Sequence, residues 1–237
     1  MANKAESLRN SVKIRHFLQE RFLRKRDLRM LAEEEVGAFW EQAHQKNAHL
    51  WLTGSDPSEV LVRLGVNDAI LELQNHSGEP RVLDVGVGEG LMSNFLSRNS
   101  VSHDSLDISS HALSKVGSNC RHTFLSGSDL PDETYDVIMH HLVAQHMSHQ
   151  NLSDQLTELL RALRPGGTLS LQYSATQDLT LQDDDSESHQ KMGAVTRNPD
   201  WFSRYLKNND HCVIDSDAET DTFGQITFRV IRIRRTS

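Results

Sequence analysis

The sequence predicts an α/β protein. It reads as a mostly parallel sheet of seven strands with an antiparallel last strand, covered by helices and preceded by a helical extension. Two observations carry this. From residue 80 onward, short apolar runs alternate with stretches of helical periodicity, the pattern of a parallel sheet buried on both faces. In addition, Val82-Leu83-Asp84-Val85-Gly86-Val87-Gly88-Glu89-Gly90 joins an apolar strand to a helix-like run through three glycines at alternate positions. A bend of that kind lets a ligand lie against bare backbone.

The elements follow in order. Ile14, Phe17, Leu18, Phe22, Leu28 and Leu31 recur at rough helical spacing over residues 8–35, which predicts one or two helices. A further helix is expected over 36–51, with Phe39, Trp40, Ala43 and Leu50 as its apolar contacts. Thr53-Gly54-Ser55-Asp56-Pro57 breaks the chain, and Ser55 or Asp56 caps the next helix, with Pro57 near its first turn. Helices over 58–64 and 67–74 complete an N-terminal helical extension or cap of residues 1–78. Residues 79–237 then form the main domain. There, strands are expected at 81–85, 105–108, 123–125, 135–140 and 168–173, with helices at 91–97, 110–117 and 152–163. Arg164-Pro165-Gly166-Gly167 reads as a sharp stop between the last helix and its strand. Residues 177–188 read as an exposed acidic loop, 199–208 as a helix with Trp201, Phe202 and Tyr205, and 212–215 and 225–232 as two final strands.

Composition narrows the function classes. At 237 residues, 37% hydrophobic and a mean hydropathy of -0.53, the chain suits one α/β domain with an appendage and can bury a sizeable core. No apolar run approaches the roughly 20 residues that span a bilayer, and residues 1–10 lack the apolar core of a secretory signal. Cys120 and Cys212 have no metal-binding spacing, which points to a reducing cytoplasm and away from a disulfide scaffold or structural zinc. The net charge of -8 is uneven: residues 1–30 hold nine Lys or Arg against three acids, and the remainder is strongly acidic. An acidic body is a poor surface for a long nucleic acid, so no nucleic-acid partner is expected. The basic segment reads as a solvated helix docked on its own domain, or as a contact for an anionic partner or a second copy of the chain.

Several segments, in this order, resemble the class I S-adenosylmethionine (SAM)-dependent methyltransferases, over about residues 80–175. The D-x-G-x-G-x-G pattern of Asp84, Gly86, Gly88 and Gly90 is similar to the family's first motif. Leu91 stands where a dinucleotide fingerprint has its last glycine, which argues against an NAD-dependent oxidoreductase. Leu106-Asp107-Ile108-Ser109, Gly127-Ser128-Asp129-Leu130-Pro131, Tyr135-Asp136-Val137-Ile138-Met139 and Leu163-Arg164-Pro165-Gly166-Gly167 follow at the family's intervals. The resemblance implies a Rossmann-like fold with SAM as cofactor. It makes Asp84 the acid that orders the methionine amino group, Asp107 the ribose ligand, and Ser128 and Asp129 the segment beside adenine.

Chemistry in the residues supports those roles without closing them. A carboxylate at a strand's C-terminal edge accepts two hydrogen bonds from vicinal hydroxyls, yet Asp107 also stands beside a helix start, where capping is an alternative. Asp132, Glu133 and Ser128 compete with Asp129. The most distinctive segment is His140-His141-Leu142-Val143-Ala144-Gln145-His146-Met147-Ser148-His149. It follows a central strand at the edge where open α/β sheets bind ligands. His140 is expected at the cofactor, and His141 and His146 as candidate bases for a hydroxyl acceptor; polar packing around a helix start is the alternative. The spacing from His141 to His146 does not put both rings on one helix face, so no metal site is expected. Phe39, Trp40 and Trp51 are read either as a cover for the cofactor cleft or as core, and Trp201, Phe202 and Tyr205 as the opposite wall of the acceptor pocket.

The resulting expectation is a cytoplasmic SAM-dependent methyltransferase (EC 2.1.1.-) acting on a small molecule or glycan. The acceptor is expected to be a sugar hydroxyl, as in bacterial small-molecule and glycan methyltransferases. Two alternatives stay open: an N-methyltransferase of a small molecule, and a methyltransferase-like module that binds SAM without turnover.

Overall fold

The computed structural model describes residues 33–45, 73, 78–175, 190–191, 194–207, 209, 211–223 and 226–236. The segments 8–32, 46–72 and 177–188, and with them Leu50, Trp51 and the acidic loop, lie outside the described residues. Helix α1 (Glu33–Gln45) precedes β1 (Val82–Val85), α2 (Leu91–Arg98), β2 (His103–Asp107), α3 (Ser110–Leu113), β3 (Cys120–Leu125) and β4 (Tyr135–His140). A 3-10 turn (Ala144–His146) leads to α4 (His149–Ala162) and β5 (Leu163–Ala175). A short hairpin, β6 (Gln190–Lys191) and β7 (Ala194–Arg197), then precedes α5 (Asp200–Leu206), β8 (Cys212–Phe223) and β9 (Ile226–Arg235).

Seven strands run in the order β3-β2-β1-β4-β5-β9-β8. The first five are mutually parallel, and β9 is antiparallel to both β5 and β8. The expected sheet, with its antiparallel last strand, is therefore present. The β6–β7 hairpin is an addition with no counterpart in the sequence reading. Because β9 occupies one flank of β5 from Thr168 to Ala175, β7 pairs with Ser174 and Ala175 on the other flank, beyond the end of β4.

Every residue of β1, β2 and β4 is buried, and the sheet separates two cores. On one face Leu152, Leu156, Leu159 and Leu160 of α4 pack with Ile138, Leu169, Leu171, Tyr173 and Phe202. Their spacing places one leucine stripe of the helix against the sheet. On the other face Met92 and Leu96 of α2 pack with Val82, Val137 and Met139.

Several boundaries differ from the sequence reading for physical reasons. α3 stops at Leu113 rather than near 117. Arg164-Pro165-Gly166-Gly167 is not a stop outside the sheet but an irregular stretch within β5: the register with β4 jumps from Tyr135↔Leu163 to Val137↔Thr168. A Cβ on Gly167 would lie 2.8 Å from the Tyr135 carbonyl oxygen, so only glycine fits there. β8 and β9 are longer than expected. The polar run of β8 carries little strand signal, yet Asp215 pairs with Arg234 and Asp217 with Arg229 across the ladder.

The last turn of α4 leaves carbonyls that need donors. Arg235 Nη1 donates to the carbonyls of Leu160 (3.4 Å), Arg161 (3.1 Å) and Leu163 (2.7 Å), while Nη2 donates to Glu133 Oε1 at 2.7 Å. Arg235→Met is expected to lower stability by about 1–3 kcal/mol in chemical denaturation. An unchanged midpoint would show that water satisfies those carbonyls equally well.

Candidate functional site

The strand order turns around between β1 and β4, since β2 and β3 lie to one side and β5 to the other. The loops leaving β1 and β4 therefore belong to opposite halves of the sheet, and such a switch point at the C-terminal edge is the general ligand position of open α/β folds. The glycine loop follows β1 and the histidine-rich segment follows β4, so the two segments singled out in the sequence meet at this switch point, where Val143 lies against Gly86.

Gly86, Gly88 and Gly90 all have positive φ, at 79°, 53° and 75°. Their surroundings differ. A Cβ on Gly86 would lie 2.0 Å from Val143 Cγ2, and one on Gly90 would lie 2.5 Å from the Lys115 carbonyl oxygen. A Cβ on Gly88 would meet nothing closer than 3.8 Å. Gly86 and Gly90 thus let the loop pack against its neighbours, whereas at Gly88 a side chain would meet only ordinary contacts with the Gly86 carbonyl oxygen and His44 Cε1.

Two buried carboxylates flank this loop. Asp84 accepts a backbone hydrogen bond from Ser93 in the first turn of α2, while its Oδ2 has no hydrogen-bond partner. Burial first, and the Asp107 charge second, push its pKa up to about 7. Asp107 accepts from the Gly88 amide at 3.1 Å through Oδ2 and from the Ser109 amide at 2.8 Å through Oδ1. Burial raises its pKa, and the amides of Gly88 and Ser109 pull against that rise. Both expected roles of Asp107 are compatible: the backbone amides of Gly88, Ser109 and Ile108 use part of the roughly four acceptor positions of a carboxylate, which leaves room for a further donor. The cap of α3 is Ser109, whose hydroxyl accepts from the Ala112 amide.

Helix α1 docks on the same edge. Glu41 accepts from Ser109 Oγ at 2.7 Å and from the His111 amide at 3.1 Å, and these bonds hold its carboxyl below the usual range. His44 Nδ1 lies 3.4 Å from Glu89 Oε1, and Lys115 Nζ donates to Glu89 Oε2 at 2.8 Å. Burial alone would raise Glu89, but Lys115 and His44 hold it low. Phe39, Trp40 and Ala43 are buried, and the Trp40 ring lies 4.8 Å from the His146 ring. Trp40 therefore links α1 to the segment after β4.

Beyond β4, His140 is fully buried with Nε2 2.7 Å from Gln155 Oε1, and His141 is buried with Nε2 3.0 Å from Ser170 Oγ. Burial lowers their pKa values to about 4 and about 3 respectively, so both rings are neutral near pH 7. His146 is half-buried on the 3-10 turn. Ser148 caps α4, accepting from the Asn151 amide. Ser128 and Asp129 are exposed on the turn after β3, where the Ser128 amide donates to the Leu125 carbonyl. Among the described residues no group of three His, Cys, Asp or Glu side chains is arranged to hold a metal ion, and no helix is long and apolar enough to cross a membrane.

The C-terminal aromatics divide. Phe202 is buried in the core against Tyr173, and Tyr205 bonds to Thr157 and to the Ser153 carbonyl. Both belong to α5 and pack it against β5 and α4 rather than forming the wall of a pocket. Glu41, His44 and Arg197 were not singled out for the site by sequence reasoning. Their partners lie 45 to 70 residues away, so no local pattern could have found them.

Comparison with known proteins agrees with this geometry. The family described as "Methyltransferase domain" matches residues 83–171, which run from β1 into β5. No curated protein matches the chain. Among solved structures, the fold is similar to that of magnesium protoporphyrin IX methyltransferase from Synechocystis with bound S-adenosylhomocysteine (SAH), at 17% identity, TM-score 0.63, 86% of this chain and 100% of that one. It is similar to the Burkholderia thailandensis 1,6-didemethyltoxoflavin-N1-methyltransferase at 14% identity, TM-score 0.59, 90% of this chain and 94% of that one. It is also similar to SpnF, a cyclase, at 14% identity, TM-score 0.56, 72% of this chain and 80% of that one. At these identities the likeness establishes the class I methyltransferase fold, while chemistry belongs to the site.

Proposed function

We propose that the chain is a SAM-dependent methyltransferase (EC 2.1.1.-) acting on a small-molecule or glycan acceptor, with a sugar hydroxyl as the favoured group. The observation that carries this reading is the arrangement around Gly88: a glycine whose Cβ position is uncrowded, between two buried carboxylates, at the switch point of the sheet. The chemistry of the donor fits that arrangement. The partnerless Oδ2 of Asp84 suits a cationic ammonium, the acceptor capacity that Asp107 keeps suits a ribose hydroxyl, and bare backbone at Gly88 admits the nucleoside. Ser128 and Asp129 would face the adenine side, with His140 at the inner end of the site.

When bound, SAM supplies an electrophilic methyl group on a sulfonium. The chain's own residues orient it, exclude water and move a proton. Of the two candidate bases, His146 is the better placed. A base works best with a pKa near the operating pH, and burial makes His141 too weak to hold a proton there. His141, with its ring set on Ser170, instead fixes the start of the segment that carries His146.

Calorimetry with SAH tests the cofactor site. Asp107→Asn is expected to weaken binding by one to a few kcal/mol, roughly 10- to 100-fold, because it removes a charge-assisted contact. His146→Gln is expected to retain binding and lose turnover. Mass spectrometry of cell extracts incubated with isotopically labelled SAM identifies the acceptor by its gain in mass. Equal SAH affinity for wild type and Asp107→Asn would sink the ribose assignment. One specific observation favours a second reading: the same fold serves SpnF, described as a cyclase. SAH binding with no labelled product across broad extracts would support a module that binds SAM without methyl transfer. The N1-methyltransferase among the fold relatives keeps a nitrogen acceptor as the alternative to a hydroxyl, and the labelled product distinguishes them.

A further inference from the structure

Arg197 ends β7 with no exposed surface, among the largest fully buried side chains among the described residues. Its guanidinium is directed at one loop. Nη1 donates to the Ala144 carbonyl at 2.8 Å, and Nη2 donates to the carbonyls of Met147 (2.7 Å) and Ser148 (3.3 Å). Those three carbonyls bracket the 3-10 turn that carries His146, and Ser148 is the cap of α4. The guanidinium carbon lies 5.7 Å from the Trp201 ring centroid, and the Trp201 ring lies 5.7 Å from that of His149.

A permanent cation is costly to bury unless its donors are well placed. A planar fork can hold several carbonyls in one geometry, which a single ammonium cannot. The position of β7 explains why the fork reaches this loop. β7 stands on the β4 flank of β5, beyond the point where β4 ends, and so lies beside the segment that leaves β4. The 3-10 turn packs against both β5 and β7.

We infer that Arg197 is a positioning residue: it fixes the backbone of residues 144–148 so that the His146 ring is held against Trp40, and it thereby couples the β6–β7 hairpin to the proton-accepting side of the site. Its catalytic meaning rests on the assignment of His146 above. Its mechanical part does not, which keeps the two separable.

Nuclear magnetic resonance of the full chain tests this. In the wild type, the Arg197 Nη protons are expected as separate, slowly exchanging signals, because hydrogen bonds to fixed carbonyls arrest rotation of the group. In Arg197→Met, the amides of His146 and Met147, which donate to the carbonyls of Val143 and Ala144, are expected to exchange at least about ten-fold faster, while the β1–β4 ladder is unaffected. The His146 imidazole signals and their titration midpoint move in the same variant. Arg197→Lys changes in the same direction, since the charge alone does not replace the fork. SAH affinity of both variants stays within about two-fold of wild type, as Asp84, Gly88 and Asp107 keep their surroundings. An unchanged His146 titration and unchanged local exchange in Arg197→Met would overturn the inference. Averaged, fast-exchanging Nη signals in the wild type would do the same, and that measurement decides the matter if neither variant folds. Failure of the wild type to bind SAH would overturn the methyltransferase reading instead, and would leave the resonance result to stand or fall by itself.

Discussion

Gly88→Ala is expected to lose SAH binding by at least about 100-fold while unfolding within a few degrees of wild type, whereas Gly90→Ala is expected to lose the fold's stability first. Both residues have positive φ, at 53° and 75°, so each alanine carries a backbone cost of about 1–2 kcal/mol. The difference lies in what the new methyl meets. At Gly90 it lies 2.5 Å from the Lys115 carbonyl oxygen and 2.9 Å from Asn94 Nδ2. The carbonyl belongs to backbone and cannot swing away, so overpacking adds about 1–3 kcal/mol. At Gly88 the nearest atoms, the Gly86 carbonyl oxygen and His44 Cε1, are both 3.8 Å away, an ordinary contact. For a domain of this size a loss of about 2–5 kcal/mol lowers the melting temperature by roughly 5–20 °C, and a loss of about 1–2 kcal/mol by only about 2–8 °C. Thermal unfolding and calorimetry on the same samples separate the two effects. If Gly88→Ala binds SAH as tightly as wild type, the space before this glycine does not hold the nucleoside.

The parts of this molecule that were legible in the sequence are those whose physics is local. β4 was placed at its observed limits because a buried parallel strand reads as a mostly apolar run, here Tyr135 and Val137 to Met139 with Asp136 between them, closed by a polar residue. The bend after Asp84 was legible because three glycines at alternate positions have few other uses. The parts that were not legible depend on partners far along the chain. β8 holds Asp215, Asp217, Glu219 and Asp221, a composition that argues against a strand. It forms because β9 supplies both a ladder and the arginines that answer Asp215 and Asp217. Glu41 sits on a helix whose pattern shows only a buried face. Its role in holding α1 to the start of α3 appears once Ser109 and His111 are in place. The histidine segment was legible as a polar stretch at the end of β4 but not in its internal division. Adjacent residues share a sequence signal, while His140 and His141 are sealed against Gln155 and Ser170 and His146 is not.

The same burial that seals those histidines makes Asp84 a liability for the empty protein, and Asp84→Asn is expected to stabilise the unliganded chain while weakening its hold on SAM. Asp84 is 3% exposed, and one carboxylate oxygen has no hydrogen-bond partner. Burial, and then the charge of Asp107, raise its pKa to about 7, above the value near 3.9 of an unfolded aspartate. The native state therefore holds this proton more tightly than the unfolded state. The stability so gained is full below about pH 4 and is lost as the pH rises through about 7, amounting to roughly 3–4 kcal/mol once ionisation is complete. Asparagine is neutral throughout, and its carbonyl oxygen can still accept from the Ser93 amide. Its advantage over wild type is thus near zero below about pH 4, about 1–2 kcal/mol at pH 5 and on the order of 4 kcal/mol at pH 8. Binding should run the other way. A cationic donor recruits the ionised form, so wild-type affinity falls by up to about ten-fold for each pH unit below 7, and Asp84→Asn is weaker at pH 8 and nearly flat with pH. Denaturant titrations and SAH and SAM calorimetry at pH 5, 6.5 and 8 read all of this. An asparagine variant less stable than wild type at pH 8, or a difference that does not change with pH, would show that the carboxylate is not held at a cost to the fold. Groups kept in place against the stability of the fold are a recurrent mark of functional sites, and here that cost falls on the residue beside the glycine loop whose buried oxygen has no hydrogen-bond partner.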